Sequence, residues 1–384
     1  MSARLVTVAG QPSWVLASDQ VELAVTQLGG HMAPVRFYRS TGREIQPYYL
    51  SPWQEEKPTI AEPVLVPLRG DFFCLPFGAR CRHKAVTYPT HGEPAGRCWQ
   101  LLEARTAGPV SSLALTMRTR HPAGRITKRL ALRRGHNAVY LQHTLEGFTG
   151  RFSLGHHATL AMPARQHSVH LATSAYRFGM TNPVPPADPA QGSYSCLAVN
   201  RRFADLRRVP TIWRDPAVAD CTCFPTRKGF CDQLAVFHKP SRRPVWTTAT
   251  FEDEGFLWFS LKDAAVLPAL MIWVENHGRY VEPWSGRNRC LGLEDVCGFL
   301  AEGLSASRAP NPVAKAGVPT TVALWPRRPT VINHIQGVAR VPAGFRKVKA
   351  VTFAPGRVTF VSTAGKRVSV PLAHEFLAGE PLEG

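Results

Sequence analysis

The chain has 384 residues, 44% hydrophobic and 19% charged, a balance that excludes a disordered polymer and predicts a folded protein with a substantial core. The formal charge of +19 raises the question of a polyanion partner. The basic residues are scattered, however, and no helix-turn-helix, zinc-finger or RNP pattern accompanies them, so nucleic acid is not the expected partner.

Period-two alternation of apolar and polar residues dominates from the start. Leu23 and Val25 alternate before Gly29-Gly30, and Val35 and Phe37 continue after it, which predicts two strands around a glycine turn. Leu113, Leu115 and Met117 mark the next clear strand, Ile126 to Leu132 another. Arg134-Gly135-His136-Asn137 then turns the chain into Val139, Leu141, His143 and Leu145. Arg118, Arg120, Arg125, Lys128, Arg129, Arg133 and Arg134 interleave with these apolar positions and are expected on the solvated face of an antiparallel sheet.

A strand pair is expected where Gly255 opens FLWFSL and Pro268 leads into Met271-Ile272-Trp273-Val274. Near the end, Val348 to Phe353 and Val358 to Val361 flank the turn Ala354-Pro355-Gly356-Arg357, and a last strand follows Ala364-Gly365. Asp295 to Leu304 is the one stretch read as a short helix. The proline-rich segments Thr181 to Gly192 and Ala309 to Pro319 read as loops, because proline removes ladder donors and restricts its predecessor. There is no internal repeat. The pattern predicts a single all-β domain over residues 1–384, predominantly antiparallel.

No apolar leader with a small-residue cleavage site opens the sequence, and no apolar run reaches spanning length, so a soluble, cytoplasmic chain is expected. Nine cysteines at irregular spacing fit reduced thiols better than a disulfide framework. Their spacings match no zinc motif, no Gly-x-Ser-x-Gly elbow is present, and nothing in the sequence sets Cys74 beside a base.

Three segments combine glycine, histidine, aromatic and charged residues beyond what strand filling needs. The first is Arg69-Gly70 through Pro76-Phe77-Gly78, with Arg80, Arg82 and His91-Gly92 beyond it. The second is Gly155-His156-His157-Ala158-Thr159-Leu160, and the third runs from Glu275-Asn276-His277-Gly278-Arg279 to Leu291-Gly292-Leu293-Glu294-Asp295. Together they supply a carboxylate, imidazoles that titrate near neutrality, guanidinium forks and aromatic faces, the kit for acid/base chemistry on a sugar. Trp258 and Trp273 sit in apolar runs and read as core. Trp284, in a Gly-, Pro- and Arg-rich loop with Asn288, reads as a ligand-facing residue.

These motifs resemble those of the galactose mutarotase-like superfamily, which holds the aldose 1-epimerases and a hexose-phosphate epimerase branch. Gly29-Gly30-His31 resembles the early glycine hairpin, and Arg69-Gly70…Pro76-Phe77-Gly78…His91-Gly92 resembles the family's Arg-Gly…Pro-x-Phe-Gly…His-Gly run. His157-Ala158-Thr159-Leu160 and Leu291-Gly292-Leu293-Glu294 resemble the segments carrying its second histidine and its glutamate. The resemblance implies a β-supersandwich whose concave sheet binds a sugar, with Glu294 as general base, His157 as general acid and His91 bonded to the substrate. Asp232 is the counterpart of a further acidic residue of the family, and no cofactor or metal is implied; Arg69, Arg80 and Arg82 are themselves available to bind an anionic sugar. His156 is expected to face away from His157, since successive strand residues point to opposite sides.

The hexose-phosphate branch has an arginine four residues after its first histidine, where this chain has Ala95. The expected substrate is therefore a neutral or weakly anionic aldohexose. A non-catalytic sugar-binding protein is the alternative, because one fold hosts many functions; the retention of an acid, a base and a second histidine favours the enzyme.

Overall fold

The computed structural model describes residues 4–56 and 58–382; the ends of the expected 1–384 domain therefore lie outside the described residues. Two large sheets face each other. One has eleven strands, in the order Val6–Val8, Gln11–Ala17, Val21–Thr26, Met32–Phe37, Asp71–Cys74, Leu154–Ala161, Arg289–Cys297, Ala269–Asn276, Phe230–His238, Tyr176–Thr181 and Arg202–Phe203. The other has nine, with Phe256–Lys262, Thr330–Arg340 and Ala138–Glu146 at its middle. Adjacent strands pair antiparallel, as the alternating pattern predicted. Among the described residues no helix is long and apolar enough to cross a membrane.

The alternation decides which side chain goes where. Along Leu154–Ala161, Leu154, Ala158 and Leu160 enter the core between the sheets, alongside Leu291 and Leu293 from the neighbouring strand. Their companions Phe72, Cys290, Val296, Met271 and Trp273 form a second apolar cluster on the opposite face, covered by Trp53, Leu68 and Trp284 from loops. A third sheet, Val348–Ala354, Arg357–Ser362 and Arg367–Pro371, packs Val358 and Phe360 against Leu257, Phe259 and Ile335 on the outer side of the nine-stranded sheet.

Three expectations are corrected. Lys128, expected on a solvated face, is fully buried between the sheets, where its Nζ donates to Gly30 O. Asp295 does not begin a helix: Arg289–Cys297 is a strand bonded on both sides, and the helix follows at Gly303–Arg308. The acidic pair Glu294-Asp295 is split by the pleat, one carboxylate to each face, which a helix would not achieve. Within the segment read as a loop at 309–319, Pro312–Lys315 forms a helical turn. Asn311 caps it, its side chain accepting from Ala314 N at 2.8 Å, with proline at the first helical position.

Between the sheets lies a fully buried polar chain. Asp71 Oδ2 bonds His156 Nδ1 at 3.0 Å, His156 stacks on His334 at 4.3 Å, and His334 Nε2 reaches Asp295 Oδ2 at 2.8 Å. Lys262 Nζ closes on Asp295 Oδ1 at 2.6 Å. Burial alone would raise the Asp295 pKa; Lys262 and His334 outweigh it and hold the carboxyl below its usual range. This chain ties the strands carrying His157 and Glu294 to the opposite sheet.

Candidate active site

The register of three central strands assembles the site. His157 stands opposite Phe72 on one side and Glu294 on the other. Next along the Glu294 strand is Gly292, opposite Trp273. These side chains rise from the exposed face of the eleven-stranded sheet into a cavity of about 330 Å³, whose lining includes Phe72, His91, His157, Trp273, Trp284 and Glu294.

His157 Nε2 lies 3.2 Å from Glu294 Oε1, and its Nδ1 is 3.2 Å from Thr159 Oγ1. Phe72 stacks on the His157 ring at 4.5 Å, with His31 on its other side at 4.2 Å, so the imidazole is fixed in orientation. His91 meets His157 edge-to-face at 4.8 Å. It is delivered by a turn in which His91 has φ 58° and Gly92 φ 78°. A methyl group at Gly92 would lie 2.0 Å from Leu75 O, so only glycine lets the turn approach that strand.

Burial governs the titration of this group. It pushes the Glu294 carboxyl well above the ordinary carboxylate range, a trend Arg279 only opposes in part. It pushes the His157 imidazole well below 6.5, and His91 down to about 4. Both shifts favour the neutral forms, a protonated carboxyl beside a neutral imidazole. The Cys74 thiol, 3.6 Å from His91 Nδ1, is also pushed up by burial and stays protonated.

One wall is aromatic. Trp273 and Trp284 meet edge-to-face at 5.6 Å, and Trp284 rests on Trp53 at 5.2 Å. The Arg279 guanidinium lies 5.4 Å from the Trp273 ring and 5.1 Å from that of Trp284, with Glu275 Oε2 3.5 Å from its Nε. Among the described residues Trp273 Nε1 is buried without a hydrogen-bond partner. Gln233, Asn182 and Glu302 complete the polar lining.

Of the residues singled out from the sequence, His91, His157, Glu294 and Trp284 come together here. Four others do not. Arg69 is fully buried elsewhere, donating to Val8 O at 3.1 Å, Ala9 O at 2.8 Å and the Gln54 side chain, where it anchors the N-terminal hairpin. Arg82 is exposed on the Cys81–His83 strand, its Nε bonded to Lys84 O at 3.3 Å. The Asp232 carboxylate accepts from Cys196 N and Leu197 N, both at 2.9 Å, on the face away from the cleft, while its neighbour Gln233 lines it. Asn288 accepts from Tyr49 Oη and braces the Trp284 loop from behind. His156 points between the sheets.

The residues that sequence reading missed are Trp273, Arg279, Gln233 and Glu302. Trp273 had a legible signal: it alternates with Met271 and Glu275 and faces a glycine, the partner that leaves room for an indole.

The geometry defines a galactose mutarotase-like β-supersandwich with a histidine–carboxylate pair on one sheet face. A scan against protein-family models finds no match, and a search of curated protein sequences finds none. Solved structures share the fold. A galactose mutarotase-like protein from Clostridium acetobutylicum aligns with TM-score 0.57 and 9% identity over 88% of this chain and 98% of that one. The Slr1438 protein of Synechocystis sp. PCC 6803 aligns with TM-score 0.56 and 13% identity over 88% and 99%. A galactose mutarotase related enzyme from Lactobacillus acidophilus aligns with TM-score 0.53 and 9% identity over 86% and 99%. At these identities the likeness is one of fold.

Proposed function

We propose that the chain is an aldose 1-epimerase acting on a neutral aldose, with Glu294 and His157 exchanging protons with the sugar. The observation that carries this reading is the 3.2 Å contact between the two groups on the floor of an aromatic-walled cleft. A binding site needs hydroxyl partners and stacking surfaces; it has no need of a desolvated acid/base pair.

Ring opening takes the proton of the anomeric hydroxyl and gives one to the ring oxygen as the C1–O5 bond breaks. Glu294 as carboxylate accepts the first and His157 as imidazolium donates the second, which leaves a neutral carboxyl and a neutral imidazole. Burial favours that neutral pair, so the site is matched to the open-chain aldehyde. Rotation about C1–C2 and the reverse transfers close the ring as the other anomer and restore the charged pair. The charged form arises from the resting one by moving one proton across the existing contact, and the hydroxyls of a bound sugar replace the solvation it lacks.

Among the described residues that line it, the cleft has one cation, Arg279, which already pairs with Glu275, beside the carboxyl groups of Glu294 and Glu302. This supports a neutral sugar over a phosphorylated one, as the alanine at position 95 suggested. Nine unpaired cysteines support a reducing, cytoplasmic setting. Polarimetry on freshly dissolved α-glucose, α-galactose and their 6-phosphates tests the reading: the protein should speed the drift for the neutral sugars. Activity confined to the phosphates, or no acceleration with sugar still bound, contradicts it and favours, in the second case, a sugar-binding role.

A further inference from the structure

Two cysteines meet a histidine at the same distance in opposite surroundings. Cys74 Sγ lies 3.6 Å from His91 Nδ1, and Cys223 Sγ lies 3.6 Å from His170 Nδ1. At the first contact burial keeps both groups neutral, with His91 pushed down to about 4 and the thiol pushed up. The second is at the edge of the nine-stranded sheet, where Cys223–Phe224 pairs with Val169–Thr173 and sets Cys223 opposite His170. Val169, Leu171 and Phe224 turn into the core, so His170 and Cys223 stand on the outer face, both partly exposed.

A carboxylate completes the row. His170 Nε2 lies 2.9 Å from Glu252 Oε2, so the carboxylate accepts the Nε2 proton and leaves the Nδ1 lone pair facing the sulfur. Glu252 is itself held: Arg346 Nε donates to its Oε1 at 3.1 Å, and Arg165 Nη2 lies 3.9 Å from its Oε2. The contacts with Cys223 and Glu252 outweigh partial burial and raise the His170 pKa, the reverse of what happens at His91. Nucleophile, base and orienting carboxylate in this order of contacts are the arrangement that activates a thiol, and the two guanidinium groups make the surroundings electropositive. None of the three residues lines the sugar cleft.

We propose that Cys223, His170 and Glu252 form a second reactive centre, at which a hydroperoxide oxidises the Cys223 sulfur to a sulfenic acid. A hydroperoxide is small enough to reach a partly exposed sulfur, and its reaction uses the two things the row supplies, a nucleophile and a proton donor. His170 Nδ1 takes the thiol proton, and the thiolate attacks one peroxide oxygen. The O–O bond breaks, and the departing oxygen takes the proton from Nδ1 and leaves as water or alcohol. Sulfur gives two electrons to the peroxide and gains the S–OH bond, and the imidazole returns to its neutral form.

The test exposes the wild type to hydrogen peroxide at pH 6, traps sulfenic acid with dimedone, and quantifies the adducts on Cys223 and Cys98 by peptide mass spectrometry. Cys98 is exposed and serves as the reference thiol. At pH 6 an ordinary thiol is about 0.3% thiolate; full conversion gains about 300-fold, of which the lower nucleophilicity of a stabilised thiolate takes back roughly 10- to 30-fold. Cys223 should therefore label about ten-fold faster than Cys98 or better. The guanidinium-unfolded chain should label both alike, and folded His170→Asn should bring Cys223 down to the Cys98 rate. Equal labelling in the native wild type, or a Cys223 rate undiminished in folded His170→Asn, overturns the centre. Should His170→Asn fail to fold, the native-to-unfolded comparison in the wild type decides on the same terms. The outcome is independent of whether the chain turns over a sugar.

Discussion

Replacing Gly292 by alanine tests the site at its tightest point. The new methyl group would lie 2.8 Å from Glu294 Oε1 and 3.0 Å from Trp273 Cβ. Trp273 Cβ is rooted in a strand paired on both sides and cannot withdraw; the carboxylate is the end of a flexible side chain and can. To reach ordinary contact at 3.4 Å, Oε1 must retreat by about 0.6 Å. A shift of that size displaces Oε1 from the position that makes the 3.2 Å contact with His157. Misplacement of about 1 Å can cost on the order of 100-fold in rate, so a 10- to 100-fold loss of kcat is expected. Stability should fall as well, because no side-chain swing relieves the 3.0 Å contact with Trp273 Cβ, so kcat is taken per folded protein. Polarimetric mutarotation rates beside thermal melting of the same preparation check this. A Gly292→Ala protein that melts normally and turns over at the wild-type rate would refute the argument that this contact is the working one.

Glu294→Gln and His157→Ala should each remove about 10²- to 10⁴-fold of the mutarotation rate, while His156→Ala, on the opposite face, should alter stability more than kcat. Because the pair works with one proton between its members, kcat/KM should fall on the acid side only below pH 6.5, as a second proton reaches His157, and on the alkaline side above the ordinary carboxylate range, as Glu294 loses its proton. An acid limb at or above pH 6.5 would contradict this. Lys262→Met leaves Asp295 buried without its cation and should cost about 3–5 kcal/mol in denaturant unfolding, with kcat of the folded fraction retained. Burial lowers the folded-state pKa of His31 to about 3 and of His156 to about 4. The unfolded chain therefore binds more protons below pH 6.5, and each residue should remove about 1.4 kcal/mol of stability per pH unit from 6.5 down to its folded value, levelling below it.

The strands were legible because alternation records which face is buried, and the catalytic positions because short motifs fix residue type and spacing together. That His156 and His157 separate to opposite faces follows from the pleat alone. Arg69 and Arg82 misled because an arginine beside a glycine-rich motif looks the same in sequence whether it meets a ligand or caps a hairpin; only the fold shows the Arg69 guanidinium spent on Val8 O and Ala9 O. Asp232 missed the cleft by one register step, and that step put Gln233 there instead. Arg279 and Glu302 come from loops, whose course depends on long-range packing that no local pattern encodes. Trp273 was assigned to the core for its apolar neighbours, and it is indeed buried; what was invisible is that the layer covering it is a cleft wall.

The most direct test of the central claim is proton exchange spectroscopy on glucose and galactose at anomeric equilibrium. With wild-type protein, cross-peaks should link the α and β anomeric protons at mixing times where buffer alone gives none, and Glu294→Gln should abolish them without abolishing sugar binding. Absence of exchange for every neutral aldose with the wild type, or undiminished exchange with Glu294→Gln, would contradict the assignment of Glu294 and His157 as the proton-exchanging pair.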